Sequence, residues 1–354
     1  ANTNFDKIYK NLKYLNSKNS FSESFVYNNI LYAVAGYLAG TVYGKSWEEL
    51  VKDEIFLPLN MTNSSFAKED FEKSTNKALP YKYENNKITE TDYINIGVVG
   101  PAGSINSNIN DMSKWLLMNI NDGKINDKEI IKKQTLMRLH APQVIIPYFP
   151  EYEEESYRAY GLGWGITGYR DHLIVSHEGS IDGFHSHVSF MPKDNIGIVV
   201  LSNSATNLPS LIANNAYDRL LGLNQINWNQ RGKDKEQETK QLIEKLKQNA
   251  SNEPKIKSKP SHKLTDYAGK YTHPAYGTLT ISIDNNKLKG DYITKFLIEH
   301  DKYDVFNAID PDDKDDEGMK MQFFTDKEGN IYKLSLPLEP DSGKDIYFKK
   351  DQNN

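Results

Sequence analysis

His177, Glu178 and Gly179 stand where a side chain able to do chemistry meets a bare stretch of backbone, directly after the apolar run Leu173-Ile174-Val175. An imidazole changes its charge near neutral pH. A glycine two residues on allows a ligand to approach the main chain closely, because it has no Cβ. H-E-G by itself describes an ordinary strand end with a surface histidine equally well. His172, His185 and His187 lie nearby in the sequence. The alternation of His185 and His187 on one strand face makes a metal site geometrically open. No carboxylate at a fixed ligand spacing accompanies them, so no metal and no other cofactor is expected. The acidic run Asp310 to Glu317 suggests a calcium loop but lacks its twelve-residue order, with Phe324 where a bidentate glutamate would fall. It reads as a solvated turn.

The elements that must hold H-E-G follow from periodicity. Phe184, Ser186, Val188 and Phe190 recur at a period of two, the pattern of a strand. Gly179 and Gly183 bracket a short turn before it, and Pro192-Lys193-Asp194-Asn195 forms a turn after it. Ile196 to Leu201 is a near-continuous apolar run of the kind buried on both faces. Three consecutive antiparallel strands are therefore expected. Upstream, Phe5, Ile8, Tyr9 and Leu12 lie at helical spacing, and Ile30 to Val42 is a strongly apolar helix pattern ending at a capping Gly44. Ser46-Trp47-Glu48-Glu49 is a capping box opening another helix, which Pro58 stops. A helix capped by Ser107 or Asn108 carries Met112, Trp115, Leu116 and Ile120. Residues 144–159 mix apolar, aromatic and acidic groups, as a flap over a cleft would, and a last amphipathic helix is expected from Leu208 to Leu221.

Composition bounds the class. The chain has 354 residues, 38% of them hydrophobic and 26% charged, with a formal net charge of −5. That balance gives no electrostatic case for nucleic acid or an anionic membrane surface, and the length suits one large domain plus a small one. With no cysteine, disulfides and thiolate metal sites are excluded. Composition shifts near Asn229. Residues 1–228 read as the main domain, 229–263 as a polar linker containing one exposed helix, and 264–354 as a small all-β domain of short alternating segments.

The block from Ser176 to Asn203 resembles the serine β-lactamase and penicillin-binding protein family, in its class C-like branch with esterases and D-aminopeptidases. The shared pattern is H-x-G-x-x-x-G-F-x-S, then P, then G-I-V-V-L-x-N. The run F-x-Y-x-N-x-x-Y from Phe25 is similar to the same family, and Pro101 to Trp115 resembles the family's P-A-G-x-x-S-x-x-D-M-x-x-W element. The tail, with L-x-x-Y-x-G-x-Y and L-x-L-P-L-E-P, resembles the small β-barrel often fused behind such hydrolases. The resemblance implies an α/β fold of the α+β type, with an antiparallel sheet flanked by helices plus a C-terminal all-β barrel. It also favours an exported location.

The resemblance assigns roles. Acyl transfer in this family uses a serine with a lysine one helical turn later, a tyrosine that relays protons and two backbone N–H groups for the oxyanion. Tyr27 would be the proton relay and Asn29 a ligand for the substrate amide, with a helix N-cap as the competing role for Asn29. His177 would replace the usual strand lysine, and the Gly179–Ser180 backbone would hold substrate, the Ser180 amide serving as one oxyanion donor. Two S-x-x-K strings occur, Ser65 to Lys68 and Ser74 to Lys77, but both follow the Y-x-N segment and neither opens a long apolar helix. The nucleophile is therefore expected outside this chain, and the chain alone is expected to be inactive. The leading expectation is a peptidase- or esterase-like serine hydrolase acting on a small peptide, amide or ester. The alternative is a non-catalytic peptide- or cell-wall-binding protein with the same cleft. The 196–201 edge is expected to be covered by an N-terminal segment on another chain, by self-association, or by a rearranged piece of residues 1–24.

Overall fold

Asp182 and Gly183 have φ of 44° and 85°, and Arg170 and Asp171 have φ of 47° and 68°. Two successive left-handed residues make a type I′ turn, whose twist matches that of the strands it joins. These turns organise the sheet of a computed structural model that describes residues 5–15, 20, 23–66, 68–84, 87–93, 95–147, 150–252, 258–311, 318–339 and 343–351 (backbone only for 6, 84, 247 and 249–252). The chain divides into two units, residues 19–246 and residues 1–18 together with 247–354.

In the unit 19–246 the strands are β1 (Val144–Ile145), β2 (Glu155–Tyr160), β3 (Gly165–Tyr169), β4 (His172–Ile181), β5 (Phe184–Met191) and β6 (Ile196–Ser202). They form a six-stranded antiparallel meander in the order β6-β5-β4-β3-β2-β1. Helix α1 (Asn29–Tyr43) is capped by the Asn28 side chain, which accepts from the Leu31 N–H, and ends at Gly44 in the left-handed region. The side chain before Asn29, and not Asn29 itself, therefore fills the N-cap role. Helix α2 (Trp47–Val51) has the Ser46–Glu49 capping box. It continues into a π-helical turn, Lys52–Phe56.

Helix α3 (Ile109–Ile120), capped by Asn108, covers one face of the sheet. Its Leu116 packs with Trp164, Val175, Val188 and Phe190. Helix α4 (Leu208–Leu220) covers the other, where Ala213 and Tyr217 meet Tyr169, Ile174, Met191 and Trp228. Trp228 opens helix α5 (Trp228–Asn252), which takes up most of the polar stretch 229–263. Its indole N–H donates to the fully buried Asp218, which also accepts from Tyr169 and Arg170.

Two sequence expectations need correction. Gly179 lies inside β4, which runs unbroken through H-E-G, and the turn is Asp182-Gly183 alone. Residues 144–145 and 155–160 are strands of the main sheet, not a flap, while 148 and 149 lie outside the described residues. Ile196 to Leu201 is the edge strand; Ile196 and Ile198 pack on the α4 side and Val199 on the α3 side, while Leu201 is 43% exposed. Strand order supplies it no outer neighbour among the described residues.

The second unit holds the helix Phe5–Asn11 and a closed eight-stranded barrel. Its strands are β7 (Gly269–His273), β8 (Gly277–Asp284), β9 (Lys287–Asp291), β10 (Lys295–Lys302), β11 (Val305–Ile309), β12 (Met319–Thr325), β13 (Ile331–Leu336) and β14 (Ile346–Lys350). Closure comes from β14 pairing back onto β7 at Tyr271↔Lys350 and Thr272↔Lys349. The interior is aromatic and aliphatic, with Tyr267, Tyr271, Phe306, Phe323 and Phe348 at its centre. Asn11 donates to the Ala275 carbonyl at 3.3 Å, joining the first helix to this unit. Of the acidic run, residues 312–317 lie outside the described residues.

Candidate active site

Strand β4 outlasts its neighbour: the last residue of β3 paired with it is Gly165, opposite Ser176. From His177 onward β4 is paired only to β5. The Asp182-Gly183 turn closes on the Ile181↔Phe184 pair. Antiparallel pairs alternate between hydrogen-bonded and non-bonded, so the peptide groups of residues 178 and 180 face away from β5, past the end of β3. The Ser180 N–H thus points into open space beside His177, where an oxyanion donor would have to stand. Its hydroxyl is engaged with His185 Nε2, at 2.6 Å. A Cβ on Gly179 would come within 2.6 Å of Ser186 Oγ, so the glycine relieves a cross-strand contact as well as baring the backbone.

Tyr27, in the extended segment before α1, reaches this strand end. Its ring lies 6.3 Å from the His177 ring, centroid to centroid. Tyr160, the last residue of β2, completes the group: its hydroxyl is 3.1 Å from His177 Nε2. Its ring meets Tyr27 edge-on at 6.2 Å and Phe25 at 5.0 Å. His177 Nδ1 donates to the Glu178 carbonyl at 2.7 Å. A carbonyl only accepts, so in the neutral ring Nδ1 carries the proton and Nε2 accepts from the Tyr160 hydroxyl. Burial pushes the Tyr160 phenol well above its ordinary value, and the Tyr32 hydroxyl raises it further. Tyr27 is raised too, by burial and then by Tyr32.

Residues 150 positions apart are thus brought together at Tyr27 and His177. Asn29 is not drawn in by contact: its side chain is exposed and bonded to no described residue. Tyr160 escaped the sequence reading. Its place at the head of Y-G-L-G-W-G was the available signal, but one of 22 tyrosines does not declare its partner.

The neighbouring polar side chains serve the sheet. On the α4 face, Glu178 accepts from His187 Nδ1 at 3.1 Å and from Ser210 at 2.7 Å. These bonds pull its carboxyl down to about 2 against the cost of desolvation. His187 Nε2 in turn accepts from Ser189, which accepts from Tyr217, each at 2.8 Å. A concavity of about 210 Å³ lies on this face, lined by Glu178, Ser180, His185 and Ser210. His172 pairs with Asp194 at 2.9 Å. Each histidine considered for a metal is thus hydrogen-bonded within the protein, and the described residues hold no cluster of three or more metal-ligating side chains.

The S-x-x-K strings do not join serine to lysine. Ser65 is bridged through its backbone to Asn106, and Lys68 faces Glu72. Ser74 donates to the Asn76 carbonyl, while Lys77 donates to the Glu72 carbonyl and lies over the Phe71 ring. Asp111, buried at the start of α3, instead ties down the loop between them and α2, accepting from the Asn63 N–H and the Ser64 hydroxyl.

Known proteins share this architecture. An unguisins hydrolase of Aspergillus campestris is 25% identical over 292 residues, 79% of this chain and 53% of that protein. Protein flp of Staphylococcus aureus is 27% identical over 193 residues, 54% of this chain and 36% of its own length. The chain thus spans about half the length of the hydrolase and a smaller share of flp. The octameric penicillin-binding protein homologue from Pyrococcus abyssi superposes with a TM-score of 0.52 at 22% identity, covering 93% of this chain and 66% of the other, a likeness of fold. Residues 253–350 match the model described as a domain of unknown function (DUF3471), which takes in the barrel. The Beta-lactamase model matches residues 1–223, the stretch that carries the strand end, Tyr27 and His177, and the chain belongs to that family of hydrolases.

Proposed function

We propose that residues 19–246 form the cleft side of a serine hydrolase that cleaves a small peptide, amide or ester through an acyl-enzyme. The observation that carries this is the meeting of Tyr27 and His177 at the free end of β4, with the Ser180 N–H directed into the same space. In this reading the Tyr27 hydroxyl relays the proton between nucleophile and leaving group, and Asn29 holds the substrate amide. The Gly179–Ser180 backbone positions the carbonyl, and the Ser180 amide takes the oxyanion, a donor worth about 3 kcal/mol in related chemistry. The nucleophile comes from a segment outside these 354 residues. That segment, or a second copy of the chain, also covers the outer edge of β6, whose unpaired N–H and C=O groups otherwise face water.

A second reading, a cleft that binds without cleaving, is favoured by the separation of serine from lysine in both S-x-x-K strings. Incubation with a fluorophosphonate or a penicillin, followed by intact-mass spectrometry, tests both. This chain is expected to gain no adduct, and a version extended upstream through an S-x-x-K is expected to gain one. Labelling mapped to Ser65, Ser74 or any other serine of this chain would refute the placement of the nucleophile. An unlabelled extended protein would favour the binding reading.

A further inference from the structure

Both nitrogens of His177 are occupied from within the protein. Nδ1 donates to the Glu178 carbonyl at 2.7 Å, and Nε2 receives the Tyr160 hydroxyl at 3.1 Å. We infer that Tyr160 is a positioning residue that holds His177 as a neutral Nδ1–H ring, so that this cleft takes a neutral, aromatic group beside His177 and not a carboxylate. The inference rests on the cleft reading above and names the substrate class it implies.

The chemistry is one of donors. A carboxylate is recognised by N–H groups or a fixed positive charge. In the arrangement seen, His177 has no N–H left to give. Burial and neighbouring phenols raise Tyr27 and Tyr160 alike, as expected of an apolar, aromatic surround. A carboxylate set against the His177 ring would be desolvated without a donor from that ring, which is costly. What the site does offer is ring surface. Phe25, Tyr27 and Tyr160 meet within 6.5 Å of one another, centroid to centroid, and Tyr27 is 49% exposed. An aromatic group packing edge-on or offset against such faces gains beyond its buried area.

Tyr160 is suited to its role by position. It ends β2 just where β3 begins, with the Gly161 N–H held by the Trp164 carbonyl at 2.7 Å, so its ring is fixed by the sheet and not by a loose loop. The Phe25 contact at 5.0 Å braces the other side.

The test needs no turnover, so it stands apart from the acyl-enzyme reading. The 354-residue chain is labelled with 15N-histidine, and His177 is assigned by the signal lost in His177→Gln. At pH 8 the unmutated protein should show His177 as a single Nδ1–H tautomer. Tyr160→Phe should shift it toward the Nε2–H form, whereas Tyr27→Phe, which removes no hydrogen bond to His177, should leave it unchanged. An Nε2–H tautomer in the unmutated protein would overturn the positioning role even if Tyr160→Phe failed to fold. Titration with N-acetylphenylalanine amide and N-acetylphenylalanine then compares neutral and anionic ends on one molecule. The amide is expected to perturb His177 at concentrations at least tenfold lower than the acid. Equal or tighter binding of the acid, or no response to the amide, would overturn the substrate class.

Discussion

β14 pairs back onto β7, so every barrel strand has two neighbours, whereas β6 of the open sheet has one. The two regions are built from similar short-turn hairpins, and closure decides what each can keep inside. The barrel core is hydrocarbon, phenol and the Met321 thioether, with Ser335 buried beside them. The sheet unit buries His187, Ser189 and Asp218 among its apolar residues and half-buries the ring of His140. A sheet that ends in a free strand tip can present backbone groups and an imidazole to a substrate; a closed barrel of this size has no such tip. The sheet unit accordingly buries an imidazole and a carboxylate, and the barrel has the more uniform interior.

The largest expected effect tests the packing side of this contrast. Phe348 is fully buried among His273, Tyr276 and Tyr292. Phe348→Ala should cost the barrel about 3–5 kcal/mol, the usual range for a buried aromatic truncated to alanine. Leu201→Ala, at the half-covered edge, should cost the sheet less than about 1 kcal/mol. All four tryptophans lie between Trp47 and Trp228, so tryptophan fluorescence follows the sheet unit alone while circular dichroism follows both in a urea titration. Similar losses from the two substitutions would erase the distinction.

The next effect is one of pH. His140 packs edge-on against Trp164 and Phe190, and its Nε2 has no described hydrogen-bond partner. Burial lowers it from 6.5 to about 4. The unfolded chain therefore binds a proton that the folded sheet refuses, so the sheet loses stability as pH falls from 6.5 toward 4. The fluorescence-detected urea midpoint should drop over that window, and His140→Leu should flatten the drop. A midpoint unchanged between pH 7 and 4.5 would show that the ring gains a partner when protonated.

The smallest effect belongs to Glu178. Its folded value, about 2, lies below the ordinary 4.5, so its contribution is present above 4.5 and disappears as pH falls toward 2. The side chain is 56% exposed, and solvent screening keeps the contribution below about 1 kcal/mol. Glu178→Gln should remove this limb of the acid unfolding curve while leaving the His140 limb in place. Loss of both limbs together would mean that the two sites are coupled through β4 and β5.

Local chemistry was legible from the start. The Asn108 cap, the Ser46–Glu49 box, the left-handed Gly44 and the alternation of β5 all appear where residue type placed them. Each depends on atoms a few positions apart, so neighbouring residues suffice to specify it. The family pattern also marked the H-E-G strand, and the geometry brings Tyr27 to it.

What tertiary structure alone decided is of another kind. Which helix covers each face of Ile196 to Leu201, α4 over Ile196 and Ile198 and α3 over Val199, is set by packing alone. Gly179 looked like a turn residue until pairing with Ser186 drew it into β4. Tyr160 is a partner of His177 because β3 stops at Gly165, which lets a side chain from β2 reach the exposed end of β4. Strand length, register and order are set by contacts distant in sequence, whose energies no short window contains. The amino-acid sequence by itself determined which residues are able to do chemistry at this cleft, and the packing of the sheet decided which of them meet.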